Sequence, residues 1–147
     1  MEFATNHRAT VRAFFDTWTR QDAEALTEFF AEDGEWSEPH RPILRGRDAL
    51  LSTFKVQMDF STDFHVDYRM LAQVSDDCVV AERIDTWKIH GVEITTDSMG
   101  VFLFDAEGKI TRFRDYFDWS NVEHQLLKAG VDAESLGNAR PVDGGLD

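Results

Sequence analysis

Between Phe64 and Trp119 apolar and polar residues alternate with a period close to two, and the alternation breaks only at Ser75-Asp76-Asp77, at Gly91 and at Asp105-Ala106-Glu107-Gly108. A period of two sends successive side chains to opposite faces of an extended chain, and short Gly/Asp breaks permit only antiparallel returns. The pattern predicts four long strands, roughly Phe64 to Val74, Cys78 to His90, Val92 to Phe104 and Lys109 to Trp119. Ahead of them the period is helical. Val11, Phe14, Phe15 and Trp18 line one side of a helix over Thr5 to Arg20, with Thr5 or Asn6 as its N-cap. Asp22 caps a second helix through Ala31, ended by Asp33-Gly34, and Leu50, Leu51 and Phe54 mark a third over Gly46 to Met58. Glu35 to Glu38 reads as a short strand closed by Pro39 and Pro42. A final helix spans Ser120 to Ala129. Helices first and a meander of strands afterwards predict an α+β fold, in which a curved mixed or antiparallel sheet wraps a pocket that the N-terminal helices cover. The expectation is one domain over 1–131 and a flexible tail over 132–147, which is rich in Gly, Asp and Asn.

The chain has 147 residues, 42% of them hydrophobic and 12% aromatic, with twelve Phe and four Trp, which is enough apolar material for a core and a small-molecule pocket together. Its net charge is -13, and no cluster of Lys and Arg of the kind that binds phosphate is present, so nucleic acid and anionic membrane are not expected partners. Cys78 is the only cysteine, which excludes an intramolecular disulfide and multi-cysteine zinc sites. No segment approaches the length of a membrane span, and the N-terminus lacks a basic start followed by an apolar run. A cytoplasmic location is the expectation.

Sorting the strands by face exposes an anomaly. One face of the second strand carries Val79, Ala81, Arg83, Asp85, Trp87 and Ile89, an apolar row interrupted by an adjacent Arg and Asp. In the fourth, Asp115 is the one carboxylate on a face otherwise made by Phe113, Phe117 and Trp119. Burying an ionised carboxylate without a partner is costly or shifts its pKa until it is neutral, so Asp115 must be paired, protonated or wet. If both faces look into one cavity, Arg83 can serve Asp85 and Asp115 together, and the two carboxyls can differ in protonation, one a base and the other an acid. A purely structural buried salt bridge is the competing reading.

The same residues resemble a known family. Glu82-Arg83-Ile84-Asp85, then Gly100-Val101-Phe102, Gly108-Lys109-Ile110-Thr111 and Arg114-Asp115-Tyr116-Phe117-Asp118 look like the limonene epoxide hydrolase family. Phe30-Ala31-Glu32-Asp33 and Gly46-Arg47-Asp48-Ala49 are similar to its helical half, and the resemblance covers roughly Val11 to Glu123. It implies the cone of sheet and helices of the nuclear transport factor 2-like (SnoaL-like) superfamily. It also implies that Arg83, Asp85 and Asp115 match an Asp-Arg-Asp triad. In that mechanism Asp85 takes a proton from a water attacking an epoxide carbon, Asp115 protonates the departing oxygen, and neither metal nor cofactor takes part. The family holds its water with a Tyr and an Asn, whose positions here carry Trp36 and Glu38. Glu38 then either accepts a hydrogen bond from the water, replaces Asp85 as the base, or turns the site away from epoxides.

The remaining expected site residues are the wall residues Trp36, Trp87, Phe113 and Phe117, with Thr96 and Ser98 making the inner face of the third strand more polar than a terpene-only pocket requires. A small or medium, partly polar epoxide fits that lining. An isomerase, dehydratase or cyclase using Asp115 or Glu38 is the alternative, and a noncatalytic ligand-binding dimer is a third reading. His40, His65 and His90 read as surface or structural histidines. The outer sheet face, with Val80, Ile84, Val101, Leu103 and Tyr116, is too apolar for a long solvated surface and predicts a homodimer packed back to back.

Overall fold

Arg83 and Asp115 lie on strands that do not touch, and what brings them together is the order of the sheet. The computed structural model describes residues 2–131; the expected tail over 132–147 lies outside the described residues. In chain order the elements are α1 (His7–Thr19), α2 (Ala23–Glu28), β1 (Phe30–Glu38), β2 (Arg41–Arg45), α3 (Arg47–Phe60), β3 (Ser61–Ser75), β4 (Cys78–Ile89), β5 (Val92–Phe104), β6 (Ile110–Tyr116) and α4 (Trp119–Lys128). The six strands form one mixed sheet in the order β2-β1-β6-β5-β4-β3, with β1 parallel to β6 and every other neighbouring pair antiparallel. In β5, Gly100 stands opposite Ala81 of β4 on one side and Asp115 of β6 on the other, so Arg83 and Asp115 flank the same strand on the same face.

Local chemistry sets the ends of the elements. Asn6 and Asp22 accept hydrogen bonds from the amides of Ala9 and Ala25, capping α1 and α2, and Asp118 accepts from Asn121 at the start of α4. His90 and Gly91 both take positive φ, 50° and 79°, which is what a two-residue hairpin between Ile89 and Val92 demands.

The N-terminal half departs from expectation in two places. The second helix stops at Glu28, and Phe30 already begins β1. Phe30 is fully buried against Phe14 and Phe54, and Arg47 donates twice to its carbonyl oxygen, so tertiary packing overrides the helical spacing that would carry the helix to Ala31. Asp33-Gly34 is not a helix-ending turn; it lies inside β1, where the register against β6 shifts. Gly34 is needed there because a Cβ would come within 3.0 Å of the carbonyl oxygens of Ala31 and Ile110. β2 was not expected from the pattern, since Pro42 reads as a breaker; it is tolerated because β2 is the outer edge strand.

Phe14 is the hub of the main core, with the rings of Phe15, Trp18, Phe29, Phe30, Phe102 and Phe113 at 5.2–5.9 Å. A second apolar cluster forms where Val122 and Leu126 of α4 pack on Ile89 and Ile94. The two clusters do not merge, and a cavity lies between them, lined by residues of both. Among the described residues no helix is long and apolar enough to cross a membrane.

Candidate active site

The cavity opens to solvent between the two apolar clusters. At its floor is Arg83, fully buried, with its guanidinium carbon 4.6 Å over the ring of Phe15. Nε and Nη2 donate to the two carboxylate oxygens of Asp85 at 2.9 and 2.7 Å, a side-on fork, while Nη2 also donates to Asp115 at 3.0 and 3.2 Å. Asp85 takes the whole fork, while Asp115 shares Nη2 with it and also accepts from the Tyr116 backbone amide. Both carboxyls line the cavity.

Burial drives the Asp115 carboxyl up to about 6; Arg83 works against that rise, and the Asp85 charge adds to it. Burial also opposes the Arg83 charge, but Asp115 and Asp85 more than offset it and hold that pKa above the ordinary guanidinium value. Asp115 is therefore a carboxyl that can carry a proton near neutrality beside a permanently charged guanidinium.

A second ion pair borders the first. Glu38 ends β1 and is paired with Arg41 of β2. Burial pushes Glu38 up to about 7, against the pull of Arg41 and with a further push from Asp115. The row runs from Asp85 to Arg83 and Asp115, then Glu38 and Arg41, so two acidic groups raised by burial face each other between the two guanidinium groups.

The structure brings Arg83, Asp85 and Asp115 together, and places Glu38, Trp87, Thr96, Ser98 and Phe117 on the same cavity. Thr96 and Ser98 stand opposite Asp85 and Arg83 across the β4–β5 ladder, and their hydroxyls pair with each other at 3.2 Å.

Two expected wall residues are corrected. Trp36 does not line the cavity; it stacks on Phe54 at 4.8 Å and forms a shelf for the Arg41 guanidinium, which lies 4.3 Å above its ring. Phe113 also lies behind the cavity, stacked on Phe102 at 4.2 Å. Alternation assigns the face of a strand correctly for both but carries no information on depth along it.

Some polar cavity residues escaped the sequence reading. His40, set aside as structural, is buried, stacked on Trp119 at 3.9 Å, and lines the cavity with it. Gln57 joins them from α3. The signal for His40 was its place between Pro39 and Arg41, two residues after Glu38. His65, by contrast, is exposed beside Asp67 as expected. Among the described residues no group of three His, Cys, Asp or Glu side chains is arranged to hold a metal ion.

Comparison with known proteins gives this geometry a context. A family model for the SnoaL-like domain matches residues 11–113. Among solved structures, an LEH-like epoxide hydrolase from M. tuberculosis is similar at 23% identity and a TM-score of 0.71, over 83% of this chain and 90% of that one. A protein with a ketosteroid isomerase-like fold from Catenulispora acidiphila, in complex with trimethylamine, is similar at 23% identity and a TM-score of 0.72, over 84% and 94%. The epoxide hydrolase/cyclase-like enzyme SalBIII, with a role in pyran ring formation in the polyether salinomycin, is similar at 17% identity and a TM-score of 0.68, over 78% and 92%.

Proposed function

The chain belongs to the SnoaL-like domain family, and on that scaffold we propose that it is a cofactor-independent epoxide hydrolase acting on a small or medium, partly polar epoxide. The observation that carries the proposal is the single guanidinium of Arg83 bridging a forked Asp85 and a proton-holding Asp115 at the floor of an aromatic cavity. Asp85, as carboxylate, takes a proton from a water while that water attacks one epoxide carbon. The carbon–oxygen bond breaks, Asp115 gives its proton to the departing oxygen, and a vicinal diol results. Each positioned proton transfer of this kind contributes roughly 10²–10⁴-fold. Arg83 holds both carboxyls in place through the reaction, a task its planar fork suits and an ammonium does not. Glu38, where the resembling family has a neutral amide, supplies an acceptor for the water.

A second reading is favoured by one observation, the rise of Glu38 to about 7 beside Asp115. A second base could deprotonate a substrate hydroxyl instead of water, and the same acid would then close a cyclic ether without adding oxygen. The likeness to a structure described as epoxide hydrolase/cyclase-like keeps this reading in view.

Incubating the chain with a panel of epoxides and assaying diol formation tests the first reading. Diol formation that is lost in Asp85→Asn and Asp115→Asn, both folded by circular dichroism, is the expected result. A ring-closed product in place of diol supports the second, and full activity in Asp115→Asn removes both.

A further inference from the structure

Four residues lining the cavity carry buried polar atoms with no hydrogen-bond partner among the described residues: Nη1 of Arg83, which lies against Gly100, and Nδ1 of His40, Oε1 of Gln57 and Nε1 of Trp119. The last three come from three separate places, the β1–β2 turn, α3 and the first residue of α4. An unpaired buried polar group costs about 1–3 kcal/mol, and folded proteins hold few of them. Such atoms also occur off the cavity, on His7, Trp36 and Arg41, but among the described residues the larger group belongs to this one cavity, where a ligand would meet the demand. Thr96 and Ser98 differ in this respect, because their hydroxyls already pair with each other.

The chemistry of the three atoms restricts the ligand. Trp119 Nε1 can only donate and Gln57 Oε1 can only accept. Burial and the Arg41 charge hold the His40 imidazole down at about 3, so it is neutral and offers one donor and one acceptor nitrogen. Its ring lies within 9° of the Trp119 plane, so each ring fixes the orientation of the other's plane. A carboxylate or phosphate would face the carboxyls of Glu38, Asp85 and Asp115 and could give nothing to Gln57. An ammonium could not accept from the indole. A hydroxyl both accepts and donates.

We infer that His40, Gln57 and Trp119 form a polar subsite for a hydroxyl group of the substrate, and that the site takes hydroxylated rather than purely hydrocarbon epoxides. The word epoxide in that statement rests on the proposed function, whereas the hydroxyl subsite does not.

The test therefore uses probes without an epoxide. Binding of 2-phenylethanol and of ethylbenzene, which differ by the hydroxyl alone, is measured by ligand-observed NMR titration of the full chain and of His40→Phe and Gln57→Leu. A dry apolar pocket prefers ethylbenzene, since water holds the alcohol better. The subsite predicts that the wild-type chain binds the alcohol at least as tightly, and that each variant shifts the ratio toward ethylbenzene by about tenfold. Ethylbenzene affinity stays unchanged in the variants and reports an intact cavity. A strong wild-type preference for ethylbenzene, or a ratio unmoved in both variants, overturns the subsite. Alcohol selectivity in a chain that turns over no epoxide supports the subsite and overturns the epoxide reading alone.

Discussion

A Cβ placed on Gly100 would lie 2.6 Å from Nη1 of Arg83. The same Cβ would lie 3.0 Å from Phe113 and 3.2 Å from Phe102, two rings stacked in the core that cannot retreat. The guanidinium fits because β5 has no side chain where the arginine crosses it, and Phe15 covers the guanidinium plane. Gly100→Ala is thus predicted to cost about 1–3 kcal/mol through overpacking. It should also lower kcat by about 10²-fold, because the acid and base are displaced together with Arg83. Urea unfolding and steady-state rates on an accepted epoxide measure the two effects separately.

The rate should fall as pH rises through the range where the acid loses its proton. With Asp115 at about 6 and Glu38 at about 7, that falling limb lies between those values and belongs to the pair rather than to either residue. Glu38→Gln keeps an acceptor oxygen and removes a negative charge beside Asp115. Its expected outcome is a loss of less than about tenfold, with the limb moved to lower pH; a complete loss of activity would make Glu38 the base.

Folding stability should respond to the same groups with two opposite signs. Glu38 is raised from 4.5 to about 7, so the folded chain holds its proton more tightly than the unfolded chain between those values, and stability is lost as pH rises through them. His40 is lowered from 6.5 to about 3, so the unfolded chain binds the extra proton, and stability is gained as pH rises from about 3 to 6.5. Each contribution is on the order of 3–5 kcal/mol. Relative to the wild-type chain, Glu38→Gln should gain stability as pH climbs from 4.5 to 7, while His40→Phe should lose relative stability as pH climbs toward 6.5. Urea midpoints across pH for the three proteins check both trends.

The outer face of the sheet is proposed to be a homodimer interface. Tyr116 is 55% exposed there, and Val80, Ile84, Val101 and Leu103 lie half-buried on the same face. Light scattering at micromolar concentration should give twice the 16.9 kDa chain mass, and Tyr116→Glu should halve it.

The long strands and their inward faces could be read from the sequence because alternation is a local property: Asp115 among phenylalanines pointed inward whatever the tertiary context. The short elements could not. Phe29 and Phe30 continue the spacing of α2, and only the contacts of Phe30 with Phe14 and Phe54, distant in sequence, convert that segment to strand. Trp36 and Phe113 face the right way but sit too deep, and depth depends on which helix packs above them. Trp119 follows the inward row of Phe113, Asp115 and Phe117, but His40 lies in a turn and Gln57 on a helix, so strand alternation could not bring those two to the cavity.

The central claim is that water, activated by Asp85, enters the product in one step with Asp115 as the acid. A single turnover in ¹⁸O-labelled water, with enzyme in excess over epoxide and mass analysis of the product, tests it most directly. The account predicts a diol carrying one ¹⁸O from the first turnover onward. An unlabelled diol in that turnover would mean that the added oxygen came from a protein carboxylate, and a product without any added oxygen would mean that the site rearranges its substrate; either result contradicts the account.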